Sequence, residues 1–235
     1  RVNTFIQDPN NPQTLYVGAP AGGIWKSTDD GANWTPLSDN LPQIGVSGIA
    51  IDLTNSNIIY IATGDDDAGD SYSVGVLKSL DGGQTWGTTG LQYEWTNFKT
   101  TNEIYIDPTN NQHIWVASSD GLQKSEDGGN TWVIKQDGNI VDFRLHPEYH
   151  INSIIYAVGY NNNESKFYRS SDKGNTFTEI SSIPSNSNRI ILETTPAAVD
   201  NVYVLTAYDN GDGTYEGRNS FQGVYVSNDA GLNFT

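Results

Sequence analysis

The sequence predicts an all-β chain of repeated four-stranded antiparallel units, arranged as the blades of a propeller. Three observations carry this prediction. A phrase of the form S-x-D-x-G-x-[T/N]-[W/F] occurs five times, as "STDDGANW" from Ser27, "SLDGGQTW" from Ser79, "SEDGGNTW" from Ser125, "SSDKGNTF" from Ser170 and "SNDAGLNF" from Ser227. Successive copies lie 45 to 57 residues apart, the period of a propeller blade rather than of a coiled coil or a leucine-rich horseshoe. Between the copies run short Val, Ile, Thr and Tyr stretches bounded by turn residues, with no convincing helical stripe, as strands require.

Each unit reads the same way in order. Its first strand ends at a turn, and about eight residues later an aromatic sits inside a β-branched run that forms strand two: "IQDPNNPQTLYVG", "AIDLTNSNIIYIA", "YIDPTNNQHIWVA", "RLHPEYHINSIIYAV" and "ETTPAAVDNVYVL", with Tyr16, Tyr60, Trp115, Tyr156 and Tyr203 as the aromatics. A third run, "GGIWKS", "GVLKS", "GLQKS", "KFYRS" or "GVYVS", leads into the box, and a fourth strand follows it. The expected blades are 1–41, 42–94, 95–138, 139–186 and 187–235. Five boxes ending at Phe234 predict an unfinished last blade, hence a segment of a ring of six or more blades, or a ring whose missing strand comes from before Arg1.

The box is expected to be the hairpin turn between strands three and four. Asp29, Asp81, Asp127, Asp172 and Asp229 can accept backbone N–H bonds within their own turns, as Asx turns do. Gly31, Gly83, Gly129, Gly174 and Gly231 supply the positive φ such turns need. The terminal Trp or Phe is expected to sink into the blade, worth about 2–3 kcal/mol if fully buried. These residues therefore read as structural. Function is expected at the other end of the blades, in the loops between strands two and three and between blades.

Composition narrows the chemistry. The net charge of −16 repels nucleic acid and anionic lipid. No stretch is long and apolar enough for a membrane-spanning helix. With no cysteine in the 235 residues, disulfides, thiolates and Cys-type zinc sites are excluded. The three histidines do not form a ligand trio: His113 lies near strand two, His146 stands where other units have Asp8, Asp52 and Asp107, and His150 is in a loop. No Ser-His-Asp set, P-loop or nucleotide fingerprint is present.

Loop length varies most in units two and five. The strand-two aromatic is followed by the box serine after 19 and 24 residues there, against 10 to 14 elsewhere. "TGDDDAGDSYSVG" carries Asp65, Asp66, Asp67 and Asp70; "AYDNGDGTYEGRNSFQG" carries Asp209, Asp212 and Glu216. Alternating oxygen donors and glycines suit a flexible Ca²⁺ loop, and the same residues also read as solvated acidic loops. Trp95, alone among the tryptophans, has no place in the repeat. With Tyr93, Glu94 and Phe98 it forms a candidate ligand site, where a sugar ring stacks on the aromatic and the carboxylate takes its hydroxyls; the alternative is a plug between blades.

The boxes resemble Asp-box repeats, also called BNR repeats, which are found in sialidases, xyloglucan-degrading glycoside hydrolases and sortilin-type receptors, all of them β-propellers. The stretches "TLYVGAPAGGIWKSTDDGANW" and "GVSGIAIDLTNSNIIYIATGDDDAGDSYSVGVLKSLDGGQTW" most resemble sortilin-like propellers of large secreted bacterial surface proteins, many similar to cargo of the type IX secretion system. The resemblance implies a secreted or cell-surface bacterial protein, with export signals outside this chain. Sialidases of this type carry an F/Y-R-I-P signature that is absent here. Xyloglucanase-like hydrolases place a catalytic Asp in a "TDIGG"-like stretch after strand two of the first blade; this chain has "APAGG", with Pro20 in that place. The reading is therefore a non-catalytic extracellular recognition or display module that binds a glycan or a protein. The rival is a divergent xyloglucanase-like glycoside hydrolase.

Overall fold

The computed structural model describes residues 1–41, 45–65, 71–208 and 220–235. Five antiparallel sheets follow one another along the chain, each a meander in sequence order. The first contains β1 (Thr4–Asp8), β2 (Asn11–Ala19), β3 (Gly23–Ser27) and β4 (Thr35–Pro36). The second contains β5 (Val46–Asp52), β6 (Asn55–Thr63), β7 (Gly75–Ser79) and β8 (Gly87–Gln92). The third is β9 (Thr101–Ile106), β10 (Ile114–Ser118), β11 (Gly121–Ser125) and β12 (Val133–Gln136), and the fourth β13 (Asn139–Leu145), β14 (Ile155–Asn161), β15 (Glu164–Ser170) and β16 (Thr178–Glu179). The fifth has three strands, β17 (Arg189–Thr194), β18 (Val202–Tyr208) and β19 (Ser220–Ser227); Thr235 exchanges both backbone bonds with Val226 beside β19. This is the all-β, four-stranded-blade architecture that the repeat predicts. The chain divides into two compact units, Arg1–Ser119 with Gln123–Ile134, and Asp120–Leu122 with Lys135–Thr235.

All five boxes close alike. The serine hydroxyl donates to the aspartate Oδ1 at 2.7–2.8 Å and accepts the glycine N–H at 2.8–2.9 Å. The residue four after the aspartate donates twice, its N–H to Oδ1 at 2.8–2.9 Å and its side chain to Oδ2 at 2.6–2.8 Å. Besides the glycine, the residue before it is also left-handed: Asp30, Gly82, Gly128, Lys173 and Ala230 have φ of 56°, 72°, 68°, 60° and 55°. That residue's N–H donates to the carbonyl at the end of its own blade's first turn, at Gln13, Asn57, Gln112, Ser153 and Asp200. Box and first turn therefore share one end of every blade. The box tryptophans differ from expectation: Trp34, Trp86 and Trp132 are half-buried, because each indole N–H must stay at the rim to reach a carbonyl of Gly31, Leu37 or Gly129.

In the first unit, neighbouring blades are tied by strand-two tyrosines and strand-three lysines. The Tyr16 hydroxyl and Lys26 ammonium both donate to the Gly82 carbonyl, and Tyr60 and Lys78 to that of Gly128 at 2.9 and 3.0 Å; Lys26 and Lys78 also lie over the two rings. In the second unit Arg169 takes the Ala230 carbonyl at 2.7 Å. Apolar rows fill the space between. Tyr16, Ile24, Ile49, Ile59, Ile61 and Leu77 form one cluster; Tyr156, Val158 and Phe167 pack on Ile190, Leu192, Val202 and Val204 in another. His146 takes the place of the turn aspartates, its Nδ1 accepting the Glu148 N–H and an Asn152 amide bond.

Two tests follow from this packing. Phe167→Ala empties a fully buried site and should cost about 3–5 kcal/mol in denaturant unfolding. The second concerns acid. Hydrogen bonds from the Thr85 hydroxyl and N–H, then Ser79, hold Asp81 at about 2, below its ordinary 3.8; Asp127 and Asp229 are likewise held at about 2, chiefly by Thr131 and Asn233. A depressed folded-state pKa contributes stability that is present above the unfolded value and lost as pH falls through the folded one. Melting temperature should fall between about pH 4 and pH 2, and Asp81→Asn should show a shallower fall over that window.

Candidate functional site

The connection between blades two and three lies at the end of the blades opposite the boxes, and a buried hydroxyl chain fixes it there. Thr63, Ser73 and Thr101 are fully buried. The Ser73 hydroxyl sits 3.0 Å from that of Thr63 and 3.1 Å from that of Thr101, while Thr101 donates to the Thr63 carbonyl and Thr63 to the Gly75 carbonyl at 2.8 and 2.7 Å. The Ser73 N–H reaches the Lys99 carbonyl at 2.8 Å. Gly75 is obligatory here: at φ 101° a Cβ would stand 2.0 Å from the Leu91 oxygen.

These bonds draw the end of blade two's long loop against the connection. Tyr72 therefore meets Phe98, ring centroids 5.0 Å apart and planes at 79°, the edge-to-face geometry that aromatic pairs favour. Phe98 closes a 3₁₀ turn of Trp95–Asn97 whose start is held by Asn97 Oδ1 accepting the Glu94 N–H at 3.0 Å. Its φ of 55° is an uncommon conformation for a bulky side chain, and such outliers cluster at functional sites. Trp95 and Phe98 are 68% and 63% exposed.

Beside this turn lies a cavity of about 310 Å³. Tyr93, Glu94 and Asn97 form one wall, and Val74, Trp86 and Leu41 contribute apolar surface. Tyr93 is held by its N–H to the Val74 carbonyl at 3.1 Å and by Gln123 donating to its hydroxyl at 3.0 Å. The four predicted ligand residues thus fall in one ordered turn, with Tyr93 and Glu94 lining the cavity and Trp95 and Phe98 displayed beside it. Tyr72 and Asn97 were not foreseen. Tyr72 sits in the long acidic loop, where carboxylates dominate the sequence signal, and Asn97 acts through a backbone cap.

Asp65 is buried and ion-paired with Arg1, with Asn3 Nδ2 3.3 Å from the same oxygen. The other Ca²⁺ candidates, Asp66, Asp67, Asp70, Asp209, Asp212 and Glu216, lie outside the described residues. Among the described residues no group of three His, Asp or Glu side chains could hold a metal ion, and no helix is long and apolar enough to cross a membrane.

No protein-family profile matches the chain. It is 24% identical, over an alignment of 249 positions, to a xyloglucanase of Paenibacillus sp, an alignment that covers 91% of this chain and 24% of the relative. The solved Niastella koreensis GH74 enzyme superposes with a TM-score of 0.73 at 23% identity, covering all of this chain and 38% of that one. An ancestral GH74 enzyme gives 0.76 at 20% identity, with 31% of its chain covered. The fold is a β-propeller of xyloglucanase-like type. The chain spans about a quarter of the length of the Paenibacillus relative. These matches correct the expectation of a non-catalytic recognition module: the similar curated proteins are named as enzymes, and the glycoside hydrolase alternative fits them better. One missing carboxylate in one blade is weak ground when the chain covers a fraction of each enzyme.

The hydroxyl chain offers a direct test of how the site is held. Thr101→Val deprives the buried Thr63 carbonyl and Ser73 hydroxyl of a partner and should cost about 1–3 kcal/mol, read by denaturant unfolding.

Proposed function

We propose that this chain is a propeller segment of a glycoside hydrolase of xyloglucanase type, and that the turn Tyr93–Phe98 with Tyr72 binds the polysaccharide. The observation that carries the reading is an exposed, pre-shaped aromatic turn beside a cavity walled by Glu94 and Asn97. Sugar rings present apolar C–H faces and polar edges, so an exposed indole takes the face while a carboxylate and an amide take the hydroxyls. The relatives named as xyloglucanases supply the polymer class. Such a polysaccharide is met outside the cell, which supports the secreted localisation that the repeat resemblance implies.

Hydrolysis of a glycosidic bond uses two carboxyl groups, one as acid and the other as base or nucleophile. Glu94, the one carboxylate of the Tyr93–Phe98 turn, is assigned here to hydroxyl binding, so the turn does not supply the bond-breaking pair. Calorimetric titration of the protein with xyloglucan oligosaccharides, beside a turnover assay of the full-length protein on xyloglucan, tests both halves. Trp95→Ala should weaken binding roughly tenfold, about 1.4 kcal/mol. Unchanged affinity removes the turn from the site, and binding without any turnover by the full-length protein removes the hydrolase.

A further inference from the structure

Two residues before the box serine, blades one, two, four and five have Trp25, Leu77, Tyr168 and Tyr225, and blade three has Gln123. Large apolar or aromatic side chains give way there to an amide. Gln123 is as buried as Leu77, each 5% exposed, and an amide taken out of water costs free energy unless new hydrogen bonds replace the old. Its Nε2 makes two, donating to the Ser118 hydroxyl at 2.9 Å and to the Tyr93 hydroxyl at 3.0 Å. A leucine, as in blade two, would fill the same place without that cost. The packing of the blade therefore does not account for the amide.

We infer that Gln123 is a positioning residue of the candidate glycan site, holding Tyr93 in the conformation that walls the cavity while not touching the ligand itself. Ser118 stands three residues after Trp115, as Thr63 does after Tyr60, and both are fully buried. The Thr63 hydroxyl belongs to the chain that draws Tyr72 to Phe98; the Ser118 hydroxyl begins a second one, through Gln123, that ends on Tyr93. Tyr93 lines the cavity and Gln123 does not. The tyrosine is fixed at three points. Its N–H bonds the Val74 carbonyl at 3.1 Å, it packs on the apolar cluster that includes Ile104 and Val116, and its hydroxyl accepts the amide. A side chain held in this way is ordered before a ligand arrives, whereas ordering a loose one on binding weakens affinity several-fold. Xyloglucan as the ligand is taken from the proposed function; the bond network stands apart from it.

A double-mutant cycle on the full-length protein tests this. Gln123→Met keeps the length of the side chain and removes both donors; Tyr93→Phe removes the acceptor. Calorimetric titration with xyloglucan oligosaccharides should show each variant binding about fivefold more weakly, and the double variant no more weakly than either, because both changes cut the same bond. Gln123→Leu, the side chain of blade two, should match Gln123→Met and so separate the lost bond from a misfit. Full affinity in both Gln123 variants, with or without a lowered melting temperature, would make the amide merely structural and overturn the proposal. Losses that multiply in the double variant would overturn it too. The order of the Tyr93 ring in the ligand-free protein, read by NMR relaxation, should fall in Gln123→Met. If the wild-type protein binds no oligosaccharide, the glycan reading falls and this second measurement decides alone: a loosened ring upholds the positioning of Tyr93 by Gln123, and an unchanged ring overturns it.

Discussion

One carboxylate in each blade organises the molecule. Placed two residues after a serine at the end of strand three, it accepts the serine hydroxyl, a backbone N–H and a side chain from the residue four further on. A turn with two successive left-handed residues would otherwise leave its donors unsatisfied. Once closed, the box turns its fourth residue so that the N–H bonds the first turn of the same blade and the carbonyl, at Gly82, Gly128 and Ala230, meets the preceding blade. Eight residues thus fix the hairpin, the end of the sheet and the spacing between neighbours.

Because all of these bonds lie at one end, the opposite end is free of them. Its loops are held by other means, in blades two and three by a chain of buried hydroxyls. Short polar side chains do this well: each can donate and accept, so a few atoms satisfy several backbone carbonyls without filling the space above. Tyr72, Trp95 and Phe98 are presented on that support, and the strained φ of Phe98 is tolerated because Thr101 and Ser73 anchor the chain on either side of the aromatic pair.

Most of the fold was legible because its signals are local and repeated. Ser, Asp and Gly at fixed spacing determine the turn, and β-branched runs with one aromatic determine the strands. The second left-handed residue was not legible, since Asp30, Lys173 and Ala230 occupy it as well as glycine; the carboxylate bonds force the conformation whatever the side chain. Burial of the box tryptophans was overestimated because the indole N–H competes with the ring for position. At the site, Trp95 stood out as a residue without a structural place. Tyr72 did not, because its meeting with Phe98 depends on hydroxyl bonds between segments distant in sequence. Pro20, in the place of one carboxylate of the xyloglucanase-like pattern, is a poor guide to function in a chain that spans a quarter of its relative's length.

The central claim is a division of labour, with boxes holding the blades and the far end meeting the ligand. Backbone amide shifts of the labelled protein, followed as a xyloglucan oligosaccharide is added, test it most directly. The account predicts saturable shifts at Tyr72, Glu94, Trp95 and Phe98, with Gly83, Thr85, Gly129 and Thr131 unmoved. Shifts concentrated in the box amides, with the Trp95 turn silent, would contradict it.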